Sequence, residues 1–169
     1  MALAHNIIIR SLNAIYLQAP HVTLPADKKD FLVYCQVWFE LLHNHHHHEE
    51  TFLFPRFEEL IGKPGFLEVN IEQHHAFEKG AEEFRKYVST VTVEDFDGAE
   101  VRRLVDGFVG VLNQHLHDEI ESLIKMDEFG GKDGELLTKA WLELDQIIIK
   151  EMTNKVCQSL LEERNCTSS

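Results

Sequence analysis

The chain has 169 residues, of which 44% are hydrophobic, and its formal net charge is −13. This length and composition fit one domain of ordinary size with an apolar core. The 29 acidic and 16 basic residues leave no basic stripe of the kind that binds nucleic acid or an anionic membrane surface. We therefore expect neither a nucleic-acid partner nor a membrane partner.

The cysteines also restrict the class of protein. Cys35, Cys157 and Cys166 are widely spaced, so they form neither a disulfide framework nor a Cys-x-x-Cys metal site. Three free thiols favour a reducing compartment. No uninterrupted apolar run approaches the ~20 residues of a membrane span, and no signal peptide is recognisable. We expect a soluble, cytoplasmic protein that is a monomer or a weak homodimer.

Helical periodicity and helix-breaking residues predict five helices in chain order. Asp27 is expected to cap the second helix, and Pro55 is expected to kink it. The predicted helices cover about 2–18, 28–61, 66–89, 98–127 and 134–160.

Four long helices joined by short loops predict an all-α fold, an up-down-up-down four-helix bundle with an additional C-terminal helix. Residues 1–128 would form the bundle with its site, and residues 132–160 the accessory helix. That helix would cover one face or form an oligomer contact. Residues 161–169 would form a flexible tail.

A histidine run, HHHHEE at 45–50, lies inside the second predicted helix. On a wheel of about 100° per residue, His45 and Glu49 fall near the centre of an apolar face. His46 and Glu50 fall at its edge, and His47 on the opposite side. A polar pair at the centre of an apolar face is not a solvated surface. The apolar face consists of Phe31, Tyr34, Trp38, Leu41, Leu42, Phe52 and Leu53.

The same projection places polar pairs on the core faces of two further helices. These pairs are His74 with Glu78 and His115 with Glu119, and the first helix adds His5. Residues four apart are neighbours on one helix surface, so each pair can reach a common point. The other histidines of the motifs are interpreted as ordinary surface or satisfied histidines: His46, His47, His48, His75 and His117.

Four histidines and three carboxylates in one core would be costly without partners, because burying an unpaired carboxylate costs several kcal/mol or more. Bound cations offset that cost. Histidines and carboxylates from facing bundle helices are a common construction for a dinuclear metal centre. A nitrogen and oxygen set without thiolates suits iron or manganese, with zinc as a further option. Taken singly, each of these histidines is more often a satisfied core or surface residue.

At these residues the sequence resembles the hemerythrin-like, or HHE cation-binding, family in its fungal-type form, over about residues 1–127. The most specific stretch is HHHHEETFLFP at 45–55, which is similar to the family's His-x-x-x-Glu-Glu-x-x-Leu-Phe-Pro. Weaker similarities are AHNIIIRSLNAIYLQAP at 4–20, IEQHHAFEKG at 71–80 and LNQHLHDEIESL at 112–123.

The resemblance implies a non-haem di-iron centre with an oxo or hydroxo bridge. It implies that His5 and His45 bind one iron and that Glu49 and Glu119 bridge the two. It implies that the second iron binds His74, His115 and the residue at 78.

Position 78 departs from the family pattern, which usually has His-x-x-x-His on the third helix. Glu78 keeps the spacing but replaces a neutral nitrogen with an anionic oxygen. Added negative charge stabilises higher oxidation states and moves the site towards carboxylate-rich di-iron oxidases. Alternatively, Glu78 does not coordinate and a water takes its place.

Three functions are compatible with this pattern. The first is binding of O2, peroxide or NO for sensing, storage or detoxification. The second is a di-iron or di-manganese oxidase or oxygenase that acts on a small organic substrate, so the sequence leaves open whether the protein is an enzyme. The third is a structural module that the metals stabilise. The second requires a cavity beside the metals, lined by residues such as Tyr16, Trp38, Phe77 or Phe108.

Overall fold

A computed structural model describes residues 1–127, 129, 135, 138–148 and 150, and within these residues the chain is helical without strands. Four antiparallel columns form the bundle, which confirms the predicted all-α architecture. A 3₁₀ turn, Ala19–His21, follows the first helix. The helices are α1 Ala2–Gln18, α2 Pro25–His48, α3 Phe54–Ile61, α4 Glu68–Thr90, α5 Gly98–Asp106 and α6 Val109–Asp127.

The second column differs from its prediction at both ends of α2. It begins at Pro25, so Asp27 lies in the first turn and does not cap the helix. Proline suits this position because its missing N–H would have no helical partner there. A π turn, Glu49–Leu53, connects α2 to α3, whose second residue is Pro55. The sequence predicted a kink at Pro55, and the structure has a π turn immediately before this proline. Such π turns are often found at functional sites.

The fourth column consists of two helices, where the sequence predicted one. Gly107 and Phe108 form a turn between α5 and α6. The column begins as expected near residue 98, because the Asp97 side chain accepts a hydrogen bond from the Ala99 N–H at 2.8 Å and caps α5.

Two apolar clusters fill the bundle, one towards each end. The larger contains Trp38, whose indole N–H donates to the Ile8 carbonyl at 3.1 Å, and the smaller contains Phe54. On α4, Gly80 permits close packing, since a Cβ there would lie 2.8 Å from Cβ of Phe108 on the facing column. Between the two clusters every column contributes buried polar side chains, which form the candidate site.

The described part of the C-terminal segment covers the end of the bundle that contains α3. Residues 138–148 are helical, and Trp141 contacts Phe57 edge-to-face at 5.9 Å between ring centroids. The rest of the predicted helix at 134–160, with Cys157 and the tail at 161–169, lies outside the described residues. Cys35 is a free, buried thiol. None of the described helices is long and apolar enough to cross a membrane.

Candidate metal centre

Histidine and carboxylate side chains from all four columns meet in two adjacent groups. Within each group, one ligand atom per residue lies within 4.8 Å of the others. Glu49 belongs to both groups, so the two potential cation positions share a carboxylate. Site 1 contains His5, His45, Glu49 and Glu119, and site 2 contains His46, Glu49, His74 and His115.

Three of the histidines are oriented by a hydrogen bond from Nδ1. His5 donates to the Leu116 carbonyl at 2.9 Å, and His74 donates to the Glu50 carboxylate at 2.6 Å. His115 donates to the side-chain oxygen of Gln73 at 3.3 Å. With Nδ1 protonated, each ring has its Nε2 lone pair free to bind a cation. Metal-binding histidines usually have this arrangement.

The Nε2 atoms of His74 and His115 lie 3.1 Å apart. Because both rings donate from Nδ1, neither Nε2 has a proton, and this approach is not a hydrogen bond. His5 Nε2 and Glu119 Oε2 are 2.9 Å apart, and His45 Nε2 and Glu49 Oε1 are 3.0 Å apart. Ligand atoms on adjacent corners of an octahedron with 2.1 Å bonds are about 3.0 Å apart. The spacing therefore fits cation coordination.

Unsatisfied polar atoms give a second test of the fit. In the part of the chain that the structure describes, nine buried side-chain nitrogen and oxygen atoms lack a hydrogen-bond partner. Seven of them belong to the two sites: Nε2 of His5, His45 and His46, and both carboxylate oxygens of Glu49 and Glu119. Each unsatisfied buried group costs about 1–3 kcal/mol, so their convergence indicates a site built for cations.

Comparison with known proteins agrees with this geometry. The sequence-family model named hemerythrin HHE cation binding domain matches residues 1–126. The chain belongs to this hemerythrin family. Its four columns and buried histidine and carboxylate groups form a hemerythrin-type cation-binding domain.

A curated relative extends the comparison beyond the domain. The dimeric xanthone biosynthesis cluster protein R11 of Cryptosporiopsis sp. (strain 8999) is 34% identical over 148 residues, which is 88% of this chain. The match covers 55% of that relative, so the chain spans about half its length. No solved structure matches the chain.

The hemerythrin-type site includes six of the seven residues proposed from the sequence, all except Glu78. Glu78 is exposed and belongs to neither group. On α4 the buried stripe passes through Asn70, His74 and Phe77, which places Glu78 about 100° away from Phe77. The complete buried stripe is Leu67, Asn70, His74, Phe77, Ala81, Phe84 and Val88.

His46 is the residue that the sequence reasoning placed outside the site. It is buried in site 2, with its ring centroid 4.3 Å from that of His74. Tyr34 and Leu41, which helped to define the predicted face of the second helix, are exposed. The buried series Leu32, Cys35, Phe39, Leu42 and His46, at spacings of three and four, could have revealed this ligand.

Asn70 holds the other two unsatisfied buried atoms, both in its side-chain amide. It is fully buried, one helical turn before His74 on the same face of α4. Asn70 precedes His74 at the four-residue spacing of the family's His-x-x-x-His pair, but it belongs to neither group. His46, from the second column, supplies a third imidazole to site 2.

Burial keeps four of these imidazoles neutral. Burial first, and then the neighbouring histidines, lower the pKa of His45, His74 and His115 to about 3. Burial also lowers the pKa of His46 well below its usual value. In contrast, burial and then the neighbouring Glu119 carboxylate raise the pKa of Glu49 well above its usual range. Neutral imidazoles are the form that binds metal, and a cation would favour the ionised carboxylate.

A cavity of about 260 Å³ lies between α2 and α4 and borders site 2. His46, His74 and Glu50 lie on its wall, together with the apolar side chains of Phe39 and Phe77. Of the aromatic residues proposed from the sequence, Phe77 lines it. The others, which are Tyr16, Trp38 and Phe108, do not line this cavity.

Proposed function

We propose that this domain binds a dinuclear non-haem iron centre across sites 1 and 2 and that the centre binds O2 or a related small ligand such as peroxide or NO. The main support for this proposal is that seven buried atoms without hydrogen-bond partners converge on two positions that share Glu49. The donor set contains imidazole nitrogens and carboxylate oxygens, which favours iron or manganese and permits zinc.

The ligand residues are distributed between two cation positions, and one residue belongs to both. Glu49 links the sites, since its two oxygens face His45 and His74 at 3.0 and 3.7 Å. The family resemblance implies that Glu119 also bridges, but its distances group it with site 1. Bound iron would supply reversible or redox binding of a small ligand. The described structure supports access from the side of site 2, where the cavity reaches His46 and His74.

Metal analysis of the purified protein, followed by absorption spectra under argon and then in air, tests this proposal. We expect about two iron atoms per chain and a near-ultraviolet absorption that changes when air is admitted. The double variant His45→Gln/His74→Gln should lose the metal, whereas His21→Gln/His117→Gln, which changes two exposed histidines, should retain it. A colourless protein that binds no iron, manganese or zinc would contradict the proposal.

A second candidate function is oxidation of a small organic substrate at the same centre. The cavity beside site 2 favours it, because a pure carrier of diatomic ligands needs no space of about 260 Å³. The relative's name, which places that protein in a biosynthesis cluster, favours it as well. In this function the apolar wall would hold the substrate against the side of the centre that His46 and His74 form.

Oxygen consumption separates the two candidates. A binding protein takes up O2 once per centre, whereas an oxidase consumes it continuously when a substrate such as a simple phenol or catechol is added. Ala81 is buried and lines the cavity, so Ala81→Phe should reduce continuous consumption and leave the single uptake unchanged. Single uptake with every probe would favour the binding protein.

A further inference from the structure

The cavity beside site 2 has three exposed histidines at its opening. His43 and His47 lie one turn apart on α2, with nearly parallel rings whose centroids are 6.2 Å apart. His75 lines the cavity from α4. None of the three belongs to site 1 or site 2. They are histidines that the metal centre itself leaves unused.

Carboxylates accompany His75 on the α4 wall. Glu78 and Glu82 also line the cavity, at three and seven residues after His75, and therefore share its helix face. Glu82 is paired with Arg85 at 2.7 Å, whereas Glu78 is exposed. Both walls of the opening thus present side chains that bind divalent cations.

The inner end of the same cavity reaches buried ligands. His46 and His74 line it and are 7% and 4% exposed. The side chains of Leu42 and Ala81 also line the cavity, and they have no polar group that could bind the ion. A single cavity therefore joins exposed imidazoles on the surface to buried imidazoles of site 2.

A buried metal site needs a path by which the ion enters, and a hydrated ion must exchange its waters for protein ligands. If sites 1 and 2 hold metal as proposed above, that path must pass the surrounding side chains. Accordingly, we propose that the cavity opening is a capture site for divalent transition-metal ions, at which His43, His47 and His75 each offer an imidazole, although their ligand atoms do not converge on one position as those of sites 1 and 2 do. The ion then passes along the cavity to His46 and His74. The net charge of −13 adds a general attraction for cations.

Stopped-flow uptake of Co2+, whose visible absorption reports coordination, tests this inference on the metal-free full chain. The variant His43→Gln/His47→Gln/His75→Gln should fill at least about tenfold more slowly at micromolar metal, because local attraction changes association rates by about 10- to 1,000-fold. Its final metal content and final spectrum should equal those of the unmodified protein. His21→Gln/His117→Gln removes two exposed histidines elsewhere and should fill at the original rate.

An equilibrium titration with Zn2+ gives an independent measurement. The unmodified protein should bind a weak additional equivalent after sites 1 and 2 are full, and the triple variant should lack it. Unchanged uptake kinetics in a triple variant that retains its circular dichroism spectrum would overturn the capture site and leave the proposed function intact. A reduced final metal content would also overturn it, because the three histidines would then be ligands of the centre. Failure of the unmodified protein to bind any metal would overturn both proposals.

Discussion

Sites 1 and 2 share Glu49 but differ in how their surroundings hold them. In site 1, His5 donates to a main-chain carbonyl, that of Leu116, and the cavity beside site 2 is not lined by the ligands of site 1. In site 2, His74 donates to a side-chain carboxylate, Glu50, and the cavity reaches the ligands. A carboxylate partner raises the basicity of a histidine ligand. Under the proposed function, small ligands and metal would reach the centre from the cavity on the side of site 2.

Removing the shared ligand should have the largest effect, because it breaks both sites at once. Glu49→Ala deletes the carboxylate common to the two groups, so we expect less than about one metal ion per chain in place of about two. Metal analysis after dialysis measures this. Glu59→Ala, at an exposed position on α3, is the matched control. Two metal ions retained in Glu49→Ala would show that the sites are independent.

Adjacent histidines on α2 offer the sharpest separation of the two sites. His45→Gln should empty site 1, and His46→Gln should empty site 2, so each variant should retain about one metal ion. Azide, used as a small anionic ligand, should still bind to His45→Gln and should bind at least about tenfold more weakly to His46→Gln, because the cavity borders site 2. A His46→Gln protein with two metal ions and unchanged azide affinity would assign His46 to the cavity wall alone.

Loss of the Glu50 carboxylate, the partner of His74, should reduce metal affinity by an intermediate amount. Glu50→Gln removes the charge that accepts the His74 Nδ1–H at 2.6 Å, and loss of such a partner typically reduces metal affinity about 10- to 100-fold. We expect this loss at site 2 and less than about a threefold change at site 1, measured by competition with a chelator. Equal losses at both sites would contradict the distinction between them.

Glu78→Gln should have the smallest effect on the equilibrium affinity of the centre. Its side chain is exposed and outside both groups, so neutralising it changes only a screened surface charge. We expect less than about a twofold change in metal affinity and the same final spectrum. A lost metal ion would return Glu78 to the ligand set that the family pattern implied.

Much of the fold follows from local sequence. The termini of the first and third columns lie within about two residues of their predicted positions. Pro20 follows the end of α1 and Gly65 precedes the start of α4, and both residue types end helices by backbone geometry. The start of α2 at Pro25 and the turn at Gly107 were harder to predict, because the spacing of apolar residues does not mark either position. The π turn before Pro55 depends on packing as well as on the missing N–H of proline.

The site residues were hardest to predict where the direction of a helix's buried face had to be known exactly. Neighbouring residues are about 100° apart on a helix, and a core face is broad enough to include two of them, as His45 and His46 show. The same ambiguity on α4 affects Glu78, which was predicted to face the core and is exposed in the structure. The choice between such neighbours depends on which helices pack on either side.

By itself, the sequence determined that this chain is a helical bundle with polar pairs among apolar stripes, because periodicity and helix-breaking residues are local properties. The tertiary structure alone brought His46 into the buried group of site 2, left Glu78 exposed outside both groups, and formed the cavity beside site 2. These features depend on contacts between side chains that are distant in sequence, and only the packing of the helices brings those side chains together.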